Sequence, residues 1–185
     1  MALSRADVLA KALEILDTYG LADLTMRRLA TALKVQPGAL YWHYANKQEL
    51  LAAVTDRILA EVCAPGPDDD WRQALPQWAR SLRSALLAHR DGAELTSSAL
   101  ALSLGTLRPQ EPLVRLLVSA GLPTTDAEAI GETALHLTLG LTLNEQSRAQ
   151  AVALGVIVGQ PTDDRDALEL GIDLLSRGVS ARFGI

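Results

Sequence analysis

Apolar residues recur at helical spacing along almost the whole chain, and no stretch shows the strict alternation of a half-buried strand. The pattern therefore predicts an all-α protein. Val8, Ala12, Ile15, Leu16 and Tyr19 share one face of a first helix, which Ser4 caps and Gly20 stops. Asp7 stands where a carboxylate favours a helix N-terminus. Thr25 caps a short second helix that buries Leu29, Ala30 and Leu33. The chain turns around 34–36, and Pro37 suits the first turn of a third helix reaching to about Tyr44. Asn46 caps a fourth through Leu50, Leu51, Val54, Ile58 and Leu59 to about Val62. The segment CAPGPDDD at 63–70 reads as a linker, which divides the chain into a head at 1–62 and a body at 63–185. Body helices are expected near 70–89, 91–104, 110–120, 125–150 and 164–183, with loops at 105–112 and 155–161. Pro76 is expected to kink the first of these helices, because it removes a backbone donor.

Charge sharpens the division. Residues 1–60 hold seven Lys/Arg against six Asp/Glu, and residues 61–185 hold ten against sixteen, within a net charge of −5. No acid lies between Asp23 and Glu49, while Arg27, Arg28, Lys34 and Lys47 all do. That window also carries Tyr41, Trp42 and Tyr44. Two short capped helices joined by a tight turn, basic and acid-free, predict a DNA-binding helix-turn-helix whose second helix enters the major groove. Gln36, Pro37, Gly38 and Ala39 begin that helix with short or flexible groups that allow close approach to base edges. Gln36 can bond a base edge, and Arg27 can reach guanine. Tyr41, His43 and Lys47 carry donors suited to phosphate oxygens, with Thr25 and Trp42 beside them. An acidic body is repelled from nucleic acid and leaves the approach to the head.

Composition narrows the rest. With 185 residues and 49% apolar content, a sizeable core is available. The single cysteine, Cys63, excludes an intramolecular disulfide framework and a cysteine-based metal site. The N-terminus has no uninterrupted apolar run, so it is not read as a signal peptide, and no stretch has the roughly 20 apolar residues of a membrane span. A cytoplasmic location and no membrane partner are expected. His43, His89 and His136 form neither a metal spacing nor a nucleophile–base set, so no enzyme activity, metal or cofactor is expected.

The stretch LTMRRLATALKVQPGALYWHYANKQELL resembles the head of the TetR family of bacterial transcriptional repressors, on Val35, Gly38, Leu40, Tyr41, Tyr44, Asn46, Lys47, Leu50 and Leu51. LLAHRDGAEL at 86–95 and HLTLGLTLNEQ at 136–146 resemble body segments of the tetracycline-repressor-like subgroup. The resemblance implies a three-helix helix-turn-helix head followed by a larger helical ligand-binding and dimerisation body. It also implies a homodimer on a near-palindromic double-stranded DNA operator and a small-molecule effector. Its ligand positions fall on or near Cys63, Trp78, Leu82, Thr96 and Asn144. Thr96 stands where the subgroup has a metal-binding histidine, and Asn144 stands where it has a glutamate. A hard dication prefers carboxylates and other oxygen ligands, so magnesium–tetracycline is not the expected effector. An apolar small molecule is, in a pocket that adds Leu86, Leu100, Leu113, Leu117 and His136. The last helix is apolar over most of its circumference. Leu168, Ile172, Leu175 and Val179, with Leu137 and Leu141 of the preceding helix, match the family's four-helix dimer interface. A helical ligand-binding or scaffolding module without DNA contact is the alternative reading of these residues.

Overall fold

The computed structural model describes residues 3–159 and 163–185, and among these it is all-α with no strand. Among the described residues nine helices follow one another: α1 (Arg5–Tyr19), α2 (Met26–Leu33), α3 (Pro37–Leu40), α4 (Lys47–Leu59), α5 (Trp71–Leu87), α6 (Gly92–Ala101), α7 (Glu111–Ser119), α8 (Thr124–Ala153) and α9 (Arg165–Phe183). Their order follows the apolar periodicity, and the differences lie at the ends. The third helix stops at Leu40 and not near Tyr44, because the His43 and Tyr44 amides both close onto the Leu40 carbonyl, at 2.9 and 3.0 Å. The fourth stops at Leu59, with Val62 N–H closing a turn onto its carbonyl. Helix α6 ends at Ala101, before Ser103 adopts a left-handed φ of 52°. Helix α5 is continuous and carries Pro76 within it. Of the expected loop at 155–161, residues 160 and 161 lie outside the described residues.

Two compact units are present, and they interleave in sequence. One is Met1–Ile58 with Leu86–Leu107; the other is Leu59–Ala85 with Arg108–Ile185. The linear cut after residue 62 thus separates segments that pack together, since α6 and its flanks join the head helices.

In the first unit α1 begins with a capping box. The Ser4 hydroxyl accepts from Asp7 N–H at 3.1 Å, and the Asp7 carboxylate accepts from Ser4 N–H at 2.9 Å. At its other end α1 is held by the turn before α6. His89 Nδ1 lies 3.0 Å from Asp17, Leu21 N–H donates to Asp91 at 2.7 Å, and Arg90 donates to the Thr18 carbonyl at 3.2 Å. Two glycines allow this approach. Gly20 has φ +87°, and a Cβ there would lie 2.7 Å from Asp91 Oδ2. At Gly92 a Cβ would lie 2.4 Å from the Leu86 carbonyl oxygen.

In the second unit the indole N–H of buried Trp78 donates to the Pro109 carbonyl at 2.8 Å, fixing α5 against the start of α7. Arg83 makes a bidentate pair with Glu145 of α8, at 3.0 and 2.7 Å, and also reaches Asp163 at 2.8 Å. Arg80 pairs in the same way with Glu169 of α9. Helix α8 meets α9 closely where a Cβ on Gly171 would lie 2.9 Å from Leu137 Cδ2.

Two outcomes test this packing. Gly92→Ala forces a methyl against backbone, so it should cost roughly 1–3 kcal/mol of stability, read by thermal unfolding. The hydrogen bonds from Arg80 hold the Glu169 carboxyl below its ordinary value. A lowered folded value stabilises at pH above the ordinary glutamate range, and this contribution is lost as pH falls through the folded value. Arg80→Ala should therefore bring the Glu169 titration, followed by NMR, back up toward 4.5.

Candidate nucleic-acid interface

The first unit builds its exposed edge on a short frame. Helix α2 starts at Thr25, whose hydroxyl accepts from Arg28 N–H at 3.1 Å. It ends at Lys34, which takes the left-handed conformation (φ 57°) and closes the turn, while Val35 N–H reaches the Ala30 carbonyl at 3.0 Å. Helix α3 follows at once, with Gln36 at its N-cap and Pro37 in its first turn. Leu40 is fully buried and Tyr44 is 1% exposed, with the Tyr44 ring 4.4 Å beneath the Arg5 guanidinium. Between these two anchors the chain turns outward. Tyr41 is 52% exposed and Trp42 90% exposed, although a Tyr-Trp pair at helical spacing reads most simply as core.

The remaining expected contact residues lie along the same edge. Gln36, Pro37 and Gly38 are exposed, and an added Cβ on Gly38 meets nothing within 4 Å. Ala39, His43 and Lys47 are half-buried. The two adjacent arginines have separate fates. Arg28 pairs with Asp23 at 2.7 Å and lies 4.4 Å over the Tyr19 ring. Arg27 is exposed and, like Lys34 and Lys47, makes no intramolecular ion pair among the described residues. Three cations without internal ion pairs share this acid-free window with an indole that has no core. Such a surface suits a polyanion presenting phosphates and a groove. The turn from α3 into α4 is itself fixed: Asn46 Oδ1 accepts from Glu49 N–H at 2.8 Å, and Glu49 accepts from Ala45 N–H at 2.8 Å and from Arg5 at 3.1 Å.

The expected effector residues divide between the units. Leu86 and Thr96 are fully buried and Leu100 half-buried in the first, and the Thr96 hydroxyl has no hydrogen-bond partner. Trp78, Leu82, Leu113 and Leu117 are buried in the second. Three others lie on the surface. Cys63 is exposed, with its amide donating to Ser81 at 2.7 Å. His136 is exposed, its Nδ1 2.8 Å from the Glu132 carbonyl one turn back, and Asn144 is exposed as well. Both lie off the buried stripe of α8 formed by Leu135, Thr138, Leu139 and Thr142.

The expected dimer residues divide between buried and half-buried positions. Leu168, Ile172 and Val179 are buried within their own chain, at 1%, 2% and 4% exposure, and Val179 also lines the groove beside Leu174. Leu137, Leu141 and Leu175 are half-buried. The outward apolar groups of α9 are Leu170 and Leu174, 61% and 60% exposed. A shallow groove of about 340 Å³ runs beside Leu174, lined also by Ile130, Leu175, Gly178, Val179 and Phe183. Four-residue spacing places Leu170 with Leu174, so the broad apolar circumference divides into an inner and an outer stripe.

Among the described residues there is no group of three or more His, Cys, Asp or Glu able to hold a metal ion. No described helix is long and apolar enough to cross a membrane.

Known proteins match both parts of the chain. The family model "Bacterial regulatory proteins, tetR family" matches residues 8–54, and "Tetracyclin repressor-like, C-terminal domain" matches 64–170. The class E tetracycline repressor protein of Escherichia coli is 40% identical, over 98% of this chain and 92% of its own length. The crystal structure of Mycobacterium smegmatis BioQ superposes with a TM-score of 0.89 at 44% identity, covering 97% of this chain and 99% of that one. BioQ crystallised with its natural double-stranded DNA operator superposes at 0.80 with 42% identity and the same coverage.

The burial pattern separates edge from frame experimentally. Trp42→Ala should leave thermal stability within about 0.5 kcal/mol of wild type, because the ring has no core to leave. Leu40→Ala should cost roughly 2–5 kcal/mol, because it empties the anchor of α3.

Proposed function

The chain belongs to the tetR family of bacterial regulatory proteins, and we propose that it acts as a homodimeric repressor released from its operator by an apolar small molecule. The observation that carries the DNA-binding part is the α3 edge. Exposed Trp42 stands between buried Leu40 and Tyr44, in a window free of acids and flanked by unpaired Arg27, Lys34 and Lys47. A four-residue helix entered through proline and small residues brings backbone close to base edges, and the cations set register on phosphates. Two heads related by a dimer axis then read half-sites roughly 34 Å apart. The outward stripe of Leu170 and Leu174 with its groove supports pairing through α8 and α9.

The effector reading rests on chemistry. Buried Trp78, Leu82, Leu113 and Leu117 offer apolar surface within the second unit. Such sites take apolar ligands and orient them by a few polar atoms. Thr96 and Asn144 stand where the resemblance places a metal-binding histidine and a glutamate, and neither supplies a charged or imidazole donor. Magnesium–tetracycline is therefore not the effector on this reading. A ligand acts as a switch only through different affinities for the DNA-competent and released states. Helix α4 connects the two, since it begins at Lys47 beside the recognition turn and ends where the chain enters the second unit.

The test is a gel shift on DNA flanking the chain's own gene and on DNA selected from a random pool, at two salt concentrations. A discrete, salt-sensitive complex that survives competitor DNA is expected. Lys47→Ala should weaken it on every sequence and reduce the salt slope by about one. An unchanged slope would remove Lys47 from the phosphate contacts, and no complex on any DNA would favour a binding module without nucleic acid. Magnesium–tetracycline should leave the complex intact; release by it would overturn the effector reading.

A further inference from the structure

Asp23 is the last acid in sequence before the acid-free window, and it stands four residues from Arg27, the arginine expected to reach guanine. Its carboxylate is already taken. The Arg28 guanidinium donates to Asp23 Oδ1 at 2.7 Å and lies 4.4 Å over the Tyr19 ring at the end of α1. The Arg28 backbone N–H is held in turn by the Thr25 hydroxyl, at 3.1 Å. A planar guanidinium can stack by its face and bond a carboxylate by its edge at once. Arg28 is thereby fixed on three segments: α1, the turn that follows it, and α2.

The two arginines share one groove with that acid. Helices α1 and α2 leave between them an open cleft of about 660 Å³, walled by Lys11, Glu14, Tyr19, Asp23, Arg27 and Arg28 among others. Its charged side chains are three cations and two acids. Glu14 is bound by Lys11 and Asp23 by Arg28, which leaves Arg27 as the cation of the cleft with no acid of its own. The Asp23 side chain is 50% exposed and so lies open to a second suitor. It is a competitor for Arg27 inside the reading head, and the docked Arg28 keeps it occupied.

We propose that Arg28 is a positioning residue for base reading: by occupying Asp23 it keeps the Arg27 guanidinium free for a guanine edge. This rests on the regulator reading above and names what protects its specificity. An arginine that reads guanine sets its N–H fork on O6 and N7 together. Pairing with a carboxylate uses the same fork, so Arg27 serves Asp23 or the base and not both. An exposed ion pair is weak by itself, and that decides which arginine holds the acid. Arg28 has the Tyr19 ring in addition, whereas Arg27 would have the carboxylate alone. Without Arg28 the stacked rival is gone, and Asp23 takes Arg27.

The experiment uses the full-length protein and an operator selected from random DNA by the wild type. Exchanging each guanine in turn for 7-deazaguanine, which lacks the N7 acceptor, finds the base that Arg27 reads: its loss of affinity vanishes in Arg27→Ala. Discrimination is then the ratio of affinities for operators with guanine and with adenine at that pair. It is measured for wild type, Arg28→Ala, Asp23→Asn and the double variant. Arg28→Ala should lower the ratio about fivefold, the upper size of an exposed ion pair. Asp23→Asn should keep it, and the double variant should recover to within twofold of wild type. A strut that merely tied α1 to α2 would show no such recovery, since the double variant lacks the same ties. Arg28→Gln, with and without Asp23→Asn, gives the same comparison if Arg28→Ala folds poorly, because glutamine keeps the helix propensity but carries no charge for Asp23. A ratio in Arg28→Ala within twofold of wild type, or a double variant no better than Arg28→Ala, would overturn the proposal and leave the regulator reading standing. So would an operator in which no guanine depends on Arg27. If the wild type binds no DNA at all, the regulator reading fails and this proposal falls with it.

Discussion

A helix of four residues cannot set its own direction. Helix α3 closes a single turn of hydrogen bonds and gains nothing from propagation, so its orientation comes from the side chains at its end. Leu40 and Tyr44 supply it by burying themselves in the frame of α1, α2 and α4, and the residues between them have no choice but to face outward. The exposure of Trp42 and Tyr41 follows from that constraint, as does the exposure of Gln36, Pro37 and Gly38. The absence of acids from 24–48 then leaves the projecting edge attractive to phosphate. Arg28 is spent on Asp23 and Tyr19, which fix α2 to α1, while Arg27 remains outward.

The frame itself depends on a segment far away in sequence. His89, Arg90 and Asp91 grip the end of α1 through Asp17, Thr18 and Leu21, and the Asp91 contact needs glycine at 20. The end of α4 is gripped by the loop at 105–107 through Asp56, whose carboxylate accepts from Thr106 N–H at 3.0 Å and from Leu107 N–H at 3.1 Å. Helix α6 is thus attached to the head at both ends, once through α1 and once through α4. A change at α6 has two separate points of purchase on the reading edge.

The sequence made the helices legible because period, caps and stops agreed. Ser4 with Asp7, Thr25, Lys34 and Pro37 each did locally what its chemistry favours, and the ends slipped by a few residues, some closing early, as after Leu40, and α8 running on to Ala153. The candidate edge around α3 was legible for the same reason, helped by a resemblance dense in that stretch. The outer surfaces were less so. Leu168, Ile172 and Val179 share an apolar helix with Leu170 and Leu174, and periodicity cannot say which stripe of a helix apolar all round faces its own chain. His136 and Asn144 sit in a matching segment but on the outer side of α8, since position in a motif does not fix the direction of a side chain. The bonds from Asp56 left no trace in periodicity, because they join residues fifty apart; Gly105 beside Thr106 was the one local sign of a close approach.

The interleaving of the two units has a consequence for how such a chain is recombined. Joining residues 1–62 to a foreign body looks like a clean exchange of modules, yet it pairs the Asp17, Leu21 and Asp56 of one parent with the 86–107 segment of another. A hybrid inherits a working seam only if the donor brings its HRDG turn and its glycine–threonine loop along with α1 and α4. The transferable unit of specificity in this chain is therefore discontinuous, two pieces of sequence that must travel together.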